Sequence, residues 1–253
     1  MKTFSALLLV AASISAVAQK ADIFTVSTVQ PKNGQRMAWE AAYKTHIAKF
    51  HGTIDKTYVY EIMSGPSTGY YLIVGAPVTY ADFDAVRADE NAHNLDLDKT
   101  FFPLLGNTYD GTYQTIDSCG IRPGLLSDAF AVTVRHLKEG LNIQDYRREL
   151  ARGAKIRTAQ KSPFWANFHT TYYEQLWDGS DQVTVTVRSL KDGFKSLANG
   201  FYPAEPAGTP SFRDEYVQRY GHNAWDDRVK LLEDAVVSTS QYIMKLRRDM
   251  SSK

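Results

Sequence analysis

Six histidines are the first residues of this 253-residue chain whose chemistry asks for partners. His46 and His51 lie five apart in "HIAKFH", a spacing that on a continuous helix turns the two rings away from one another, and neither has the i, i+4 mate of a helical metal site. His93, His136, His169 and His222 stand alone in sequence. The pattern predicts structural or surface histidines and assigns no metal ligand. Cys119, the one cysteine, has no base beside it in "IDSCGIRP" and reads as a buried or half-buried thiol at a strand end. An intermolecular disulfide stays open for it. The carboxylates of "ADENAHNLDLDK", residues 88–99, read as a solvated helix and turn. G-x-S-x-G, P-loop, G-x-G-x-x-G and H-E-x-x-H motifs are absent from the sequence, which weighs against hydrolase, nucleotide triphosphatase and dehydrogenase chemistry.

A basic pattern carries more. Segments 164–170 and 183–188 alternate, with Phe164, Ala166, Phe168, Val183, Val185 and Val187 on one face, assigned to the helices. Trp165, Asn167, His169, Thr184, Thr186 and Arg188 then share the other face, joined by Thr133 and Arg135 from an earlier strand and by Lys245 and Arg247 from the last. Guanidinium groups grip carboxylate or phosphate through paired hydrogen bonds, so Arg135, Trp165, Asn167, His169, Arg188, Lys245 and Arg247 form the candidate ligand-binding face. The expectation is one cluster. On an exposed sheet these residues would be ordinary; enclosed, they would need water, acidic partners or an anion against them.

The elements that must position this face repeat. "TVSTVQPKNG", residues 25–34, returns as "AVTVRHLKEG", residues 131–140. Segment 22–30 alternates as a strand, and residues 35–51 place Trp39, Tyr43, Ile47 and Phe50 on one helical stripe that Gly52 would close. Strands at 56–63 and 69–75 flank the turn "SGPST", Thr79 with Asp82 starts a helix with Phe83 and Val86 inward, and 111–117 is a strand again. The second half follows the same order: strand 129–137, helix near 142–160, strands 163–173 and 182–188, a helical region, and strand 240–248. Ser211 and Asp214 would cap a short helix ended by Gly221, inside an insertion near 198–223 that reads as a surface excursion, a lid or a dimer contact.

Lys2, the apolar run "FSALLLVAASISAV" and "AVA" before Gln19 read as a signal peptide over 1–18, cleaved after Ala18, so the mature protein is expected in the periplasm or secreted. Repeat one then covers 19–118, a connection 119–127, and repeat two 128–253. Losing Lys2 leaves basic residues balanced against 28 acidic ones with no polybasic run, which argues against nucleic acid as partner. No membrane span is expected after the leader.

The β-α-β-β-α-β order resembles the ferredoxin-like plan, and its doubling resembles the dimeric α/β-barrel superfamily in tandem form, NIPSNAP-like or antibiotic-biosynthesis-monooxygenase-like in outline. The fold expected is therefore α+β, two ferredoxin-like repeats whose sheets cover each other face to face. The resemblance adds His46 to the candidate residues, because superfamily members can use a helix histidine as base or haem ligand. Three functions follow: an exported protein binding a small anionic or aromatic molecule between the repeats, a cofactor-independent oxygenase or haem-handling enzyme, or a structural, partner-docking module. The sequence names no cofactor, and a homodimer stays open.

Overall fold

The computed structural model describes residues 22–52, 55–116, 119–120, 127–160, 170–176, 182–190, 192–198 and 207–253. The expected signal segment, most of the connection and residues 199–206 of the insertion lie outside the described residues. Elements run β1 (Ile23–Pro31), α1 (Arg36–Phe50), β2 (Thr57–Ile62), β3 (Tyr71–Gly75), α2 (Glu90–Asp96) and β4 (Leu105–Thr115). They continue with β5 (Ala129–Leu137), α3 (Ile143–Ala159), β6 (Thr170–Leu176), β7 (Val183–Ser189), α4 (Phe212–Tyr220), α5 (His222–Ala235) and β8 (Val236–Leu246).

These strands close into one antiparallel barrel in the order β1-β3-β2-β8-β5-β7-β6-β4, with β4 returning to β1. This corrects the expected pair of ferredoxin-like sheets packed face to face. β2 pairs with β8, Tyr60 opposite Leu246, and β4 pairs with β6, Thr112 opposite Leu176, so neither half keeps a sheet of its own. The physical reason lies in the edges. A small open sheet leaves two rows of unpaired backbone N–H and C=O groups, and joining such rows at two seams satisfies them and abolishes the edge.

α1 covers the outer wall for the reason its sequence states. Trp39, Tyr43, Ile47 and Phe50 are all buried, and Trp39 packs 5.5 Å from Tyr43, 4.5 Å from Tyr71 and 5.7 Å from Phe101. The layer is completed by outward-facing Val29 and Val59, with Leu105 and Met250. Each such large side chain removed from water stabilises by about 1.5–3 kcal/mol. On the opposite side α3 buries Tyr146 and Ile156, and its Glu149 accepts from Arg152 at 2.7 Å and from the Tyr216 hydroxyl of α4. Cys119 is buried, with its thiol donating to the Arg147 carbonyl at 3.4 Å.

Local signals meet mixed fates. Ser211 Oγ accepts from the Asp214 N–H, and Gly221, at φ 91°, sits between α4 and α5 as the capping pattern predicts. The Thr79–Asp82 box also forms, yet it opens only a 3-10 turn, Tyr80–Asp84, and Phe83 and Val86, expected inward, are exposed, Val86 at 83%. No helix among the described residues is long and apolar enough to cross a membrane.

Candidate functional site

Alternation along the barrel strands sends every second side chain inward, and those side chains leave space between them. A cavity of about 720 Å³ results, lined among others by Phe24, Val26, Leu72, Phe130, Val132, Val134, Val185, Val187 and Met244. That volume suits a drug-sized molecule. Five tyrosines, Tyr58, Tyr60, Tyr113, Tyr173 and Tyr242, also line this mainly apolar wall, with Thr28, Ser67, Thr115, Ser189 and Ser240 as its other hydroxyl residues. Burial pushes Tyr60 up to about 12, with Tyr173 and Tyr58 adding to the effect, and burial raises Tyr242 as well. Both phenols keep their protons at neutral pH and can donate hydrogen bonds. Edge-to-face pairs, Phe24 with Tyr173 at 5.5 Å and Tyr60 with Phe130 at 5.6 Å, hold rings at the wall. Asp22 is the one charged residue among the described lining residues.

The basic face predicted from sequence points the other way. Val185 and Val187 line the cavity, so Thr184, Thr186 and Arg188 face outward, where the covering layer buries Arg188 to 5% exposure. Arg135 donates from Nη1 to Thr186 Oγ1 at 2.8 Å on that outer face. Nor do the cations gather. Arg135 lies opposite Thr184 and Arg188 opposite Ala131, four positions away along β5. Lys245 is exposed, opposite Glu61 and Ala129. Arg247 lies past the end of β8, where it bonds Glu40, Glu61 and Asp249. The inversion has a plain cause: a barrel clothed by helices buries both faces of its sheet, so alternation shows that two faces differ without showing which is inside. Trp165, Asn167 and His169 lie outside the described residues.

His46 is brought to a different place and into company. Its Nε2 lies 3.2 Å from His93 Nε2 and 3.3 Å from His51 Nε2, and the last two atoms are 3.1 Å apart. The expectation that His46 and His51 diverge fails because α1 ends at Phe50. His51 is its C-cap, at φ −122° and ψ 30°, and has left the helical path that would have turned it away. His93 comes from α2, inside the segment read as a solvated helix and turn. Behind the rings, His46 Nδ1 meets Asp96 Oδ2 at 2.9 Å, His51 Nδ1 the Asp55 carbonyl at 2.7 Å, and His93 Nδ1 Asn94 Oδ1 at 3.2 Å. Burial lowers the pKa of His46 and of His51, against the opposing pull of Asp96 on the first and the Asp55 carbonyl on the second. Hydrogen bonds from His46 first and Lys49 next hold the Asp96 carboxyl below its usual range. No histidine stands among the described residues that line the cavity, and His136 and His222 are exposed.

Sequence reasoning missed His51, His93, Asp96 and the five cavity tyrosines. For His51 a signal existed: it follows Phe50, the last member of the apolar stripe, and precedes Gly52, the residues that mark a helix end.

No family model and no curated protein matches the sequence. Among solved structures the fold is similar to that of a candidate monooxygenase from Lactobacillus acidophilus, with TM-score 0.52 and 8% identity over 92% of this chain and 97% of that one. A candidate monooxygenase from Fusobacterium nucleatum subsp. nucleatum follows, with TM-score 0.50, 12% identity and coverage of 89% and 92%. An anthrone oxidase-like protein is similar at TM-score 0.50, 9% identity and coverage of 90% and 92%. These neighbours belong to the dimeric α/β-barrel superfamily. At such identities the likeness is one of fold.

Proposed function

We propose that the protein binds a small, apolar, aromatic molecule inside its barrel. The observation that carries this reading is the cavity of about 720 Å³, walled mainly by aliphatic and aromatic side chains, five of them tyrosines, with a minority of Ser and Thr and the single carboxylate of Asp22. A planar ring fits between such walls, and a carbonyl or phenol oxygen on it would accept from a tyrosine. The anionic alternative loses its support, since no Lys, Arg or His stands among the described lining residues. Haem ligation by His46 loses its support too, because that ring belongs to the histidine group and not to the lining.

The test is a titration with N-phenyl-1-naphthylamine, whose fluorescence rises in apolar surroundings. Saturable binding is expected in the full chain and in Lys245→Ala, and its loss in Val134→Trp, which places an indole in the cavity. Equal binding by all three would place the probe elsewhere and end the proposal.

A second reading, cofactor-independent oxygenation of the bound ring, takes its support from the protonated Tyr60 and Tyr242, which can hydrogen-bond a substrate oxygen, and from neighbours described as candidate monooxygenases and anthrone oxidase-like. Oxygen uptake with a hydroquinone, slowed in Tyr60→Phe, would bear it out; uptake equal to the buffer rate would leave binding alone. We further propose export after cleavage behind Ala18. An intact mass that begins at Met1 in exported material would refute it.

A further inference from the structure

Three nitrogens 3.1–3.3 Å apart are too regular to be left as a packing detail, because all three belong to rings whose other nitrogen is already committed. A carbonyl oxygen and an ionised carboxylate can only accept. His51 must therefore donate from Nδ1 to the Asp55 carbonyl, and His46 from Nδ1 to Asp96. A neutral imidazole protonated at Nδ1 presents a lone pair at Nε2. The Asn94 oxygen, 3.2 Å from His93 Nδ1, can accept from it and so permits the same tautomer on His93. In that tautomer three lone pairs face one another, and a cation between them relieves their repulsion.

The spacing is that of a coordination sphere. An ion bound about 2.0–2.1 Å from each of several imidazole nitrogens at tetrahedral angles requires those nitrogens to be about 3.3 Å apart. The acceptors behind the rings are the outer-shell partners that metal-bound histidines use to fix tautomer and orientation. Two further features favour a cation. His46 and His51 stand at the C-terminal end of the fifteen-residue α1, where unpaired carbonyls leave partial negative charge. Both rings are also withdrawn from water, at 1% and 8% exposure, so an ion there meets little competition from solvent.

We propose that His46, His51 and His93 bind one divalent d-block cation of the zinc type. Among the described residues no other histidine, cysteine or carboxylate atom joins the group, so a fourth position remains for water or a small anion. His93 is the half-exposed member and marks the side from which that position is reached. Neutral imidazoles suit zinc, copper, nickel and cobalt, and a tetrahedral spacing favours zinc and cobalt among them. The ion would clamp the end of α1 and the backbone at Asp55 to α2. None of its ligands lines the barrel, so this site stands apart from the binding function proposed above.

The experiment uses the full chain, stripped with a chelator and titrated with Zn²⁺ by calorimetry and with Co²⁺ by visible absorption. One equivalent of each is expected, with the intense bands of four-coordinate cobalt. His93→Ala, at a half-exposed ring, should keep the native circular dichroism and lose stoichiometric binding. Asp96→Asn keeps all three ligands and should weaken Zn²⁺ by roughly 10- to 100-fold through loss of orientation. His222→Ala, exposed at the start of α5, should change nothing. Absence of a one-equivalent site in the wild-type chain, or a site that survives His93→Ala, would overturn the proposal and leave a hydrogen-bonded histidine group.

Discussion

Arg247 donates to both carboxylate oxygens of Glu40, at 2.9 and 2.8 Å, across 207 residues of chain. The pair is forked and parallel, the strongest geometry open to these two groups. Glu61 and Asp249 share the same guanidinium at 3.2 and 3.0 Å, and Arg36 reaches Glu40 and Glu61 from the first turn of α1. A segment beyond the last strand is thereby fastened to α1 and β2.

Acid should undo this fastening. The Arg247 hydrogen bonds, followed by those of Tyr71 and Arg36, lower Glu40 from 4.5 to about 2 against the cost of its burial. A carboxyl whose folded pKa is depressed contributes stability that is complete above its unfolded pKa and is lost as pH falls through the folded one. Unfolding free energy should therefore be flat near neutrality and decline from about pH 4.5 toward pH 2. Glu40 keeps some contact with solvent, so its share is about 1–2 kcal/mol. Urea melts of wild type and Glu40→Gln would show two curves converging at the acid end; curves that stay parallel would refute the assignment.

Trp39→Ala should cost about 3–5 kcal/mol, the range for a large aromatic removed from a packed layer. The indole lies between Tyr43, Tyr71 and Phe101. Chemical denaturation measures the loss, and probe binding in the barrel should persist wherever the variant stays folded, since Trp39 is outside the cavity lining.

Glu149→Ala should cost about 1–3 kcal/mol, because it removes a buried acceptor and leaves the buried Tyr216 hydroxyl and the half-buried Arg152 without it. Glu149 takes the Tyr216 hydroxyl and Arg152, with Arg228 3.7 Å from its carboxylate, and so joins α3 to α4 and α5. Limited proteolysis should then cut first near residues 207–221. Cleavage first at α1 would contradict this placement.

Residues 19–122 expressed alone should show no cooperative melt as a monomer. β2 and β4 would lack β8 and β6, leaving both seams open and the cavity wall half built. A full-amplitude two-state transition would show that the half needs neither seam.

The legible parts of this molecule are those where one face meets protein and the other meets water. The stripe of Trp39, Tyr43, Ile47 and Phe50 belongs to a helix with a solvated back, and the caps at Ser211 and Gly221 depend on neighbouring backbone alone. β7 was ambiguous for the opposite reason. Thr184 is buried under the outer layer and Val185 faces the cavity, so neither side of the strand meets the protein's outer surface. The joined seams escaped because edge pairing is set by distant chain. The histidine triangle escaped because one backbone departure, at His51, decides whether two rings meet or part.

The order in which a chain is made gives the barrel and the histidine group different histories. β8 is the last strand, and it must lie between β2 and β5 before the ring is complete. A nascent chain therefore has no cavity until residue 246 has emerged. The three imidazoles and Asp96, by contrast, are all present once residue 96 has been added. One site is a property of finished topology and arrives late; the other is assembled from nearby chain and can form while most of the ring has yet to be synthesised.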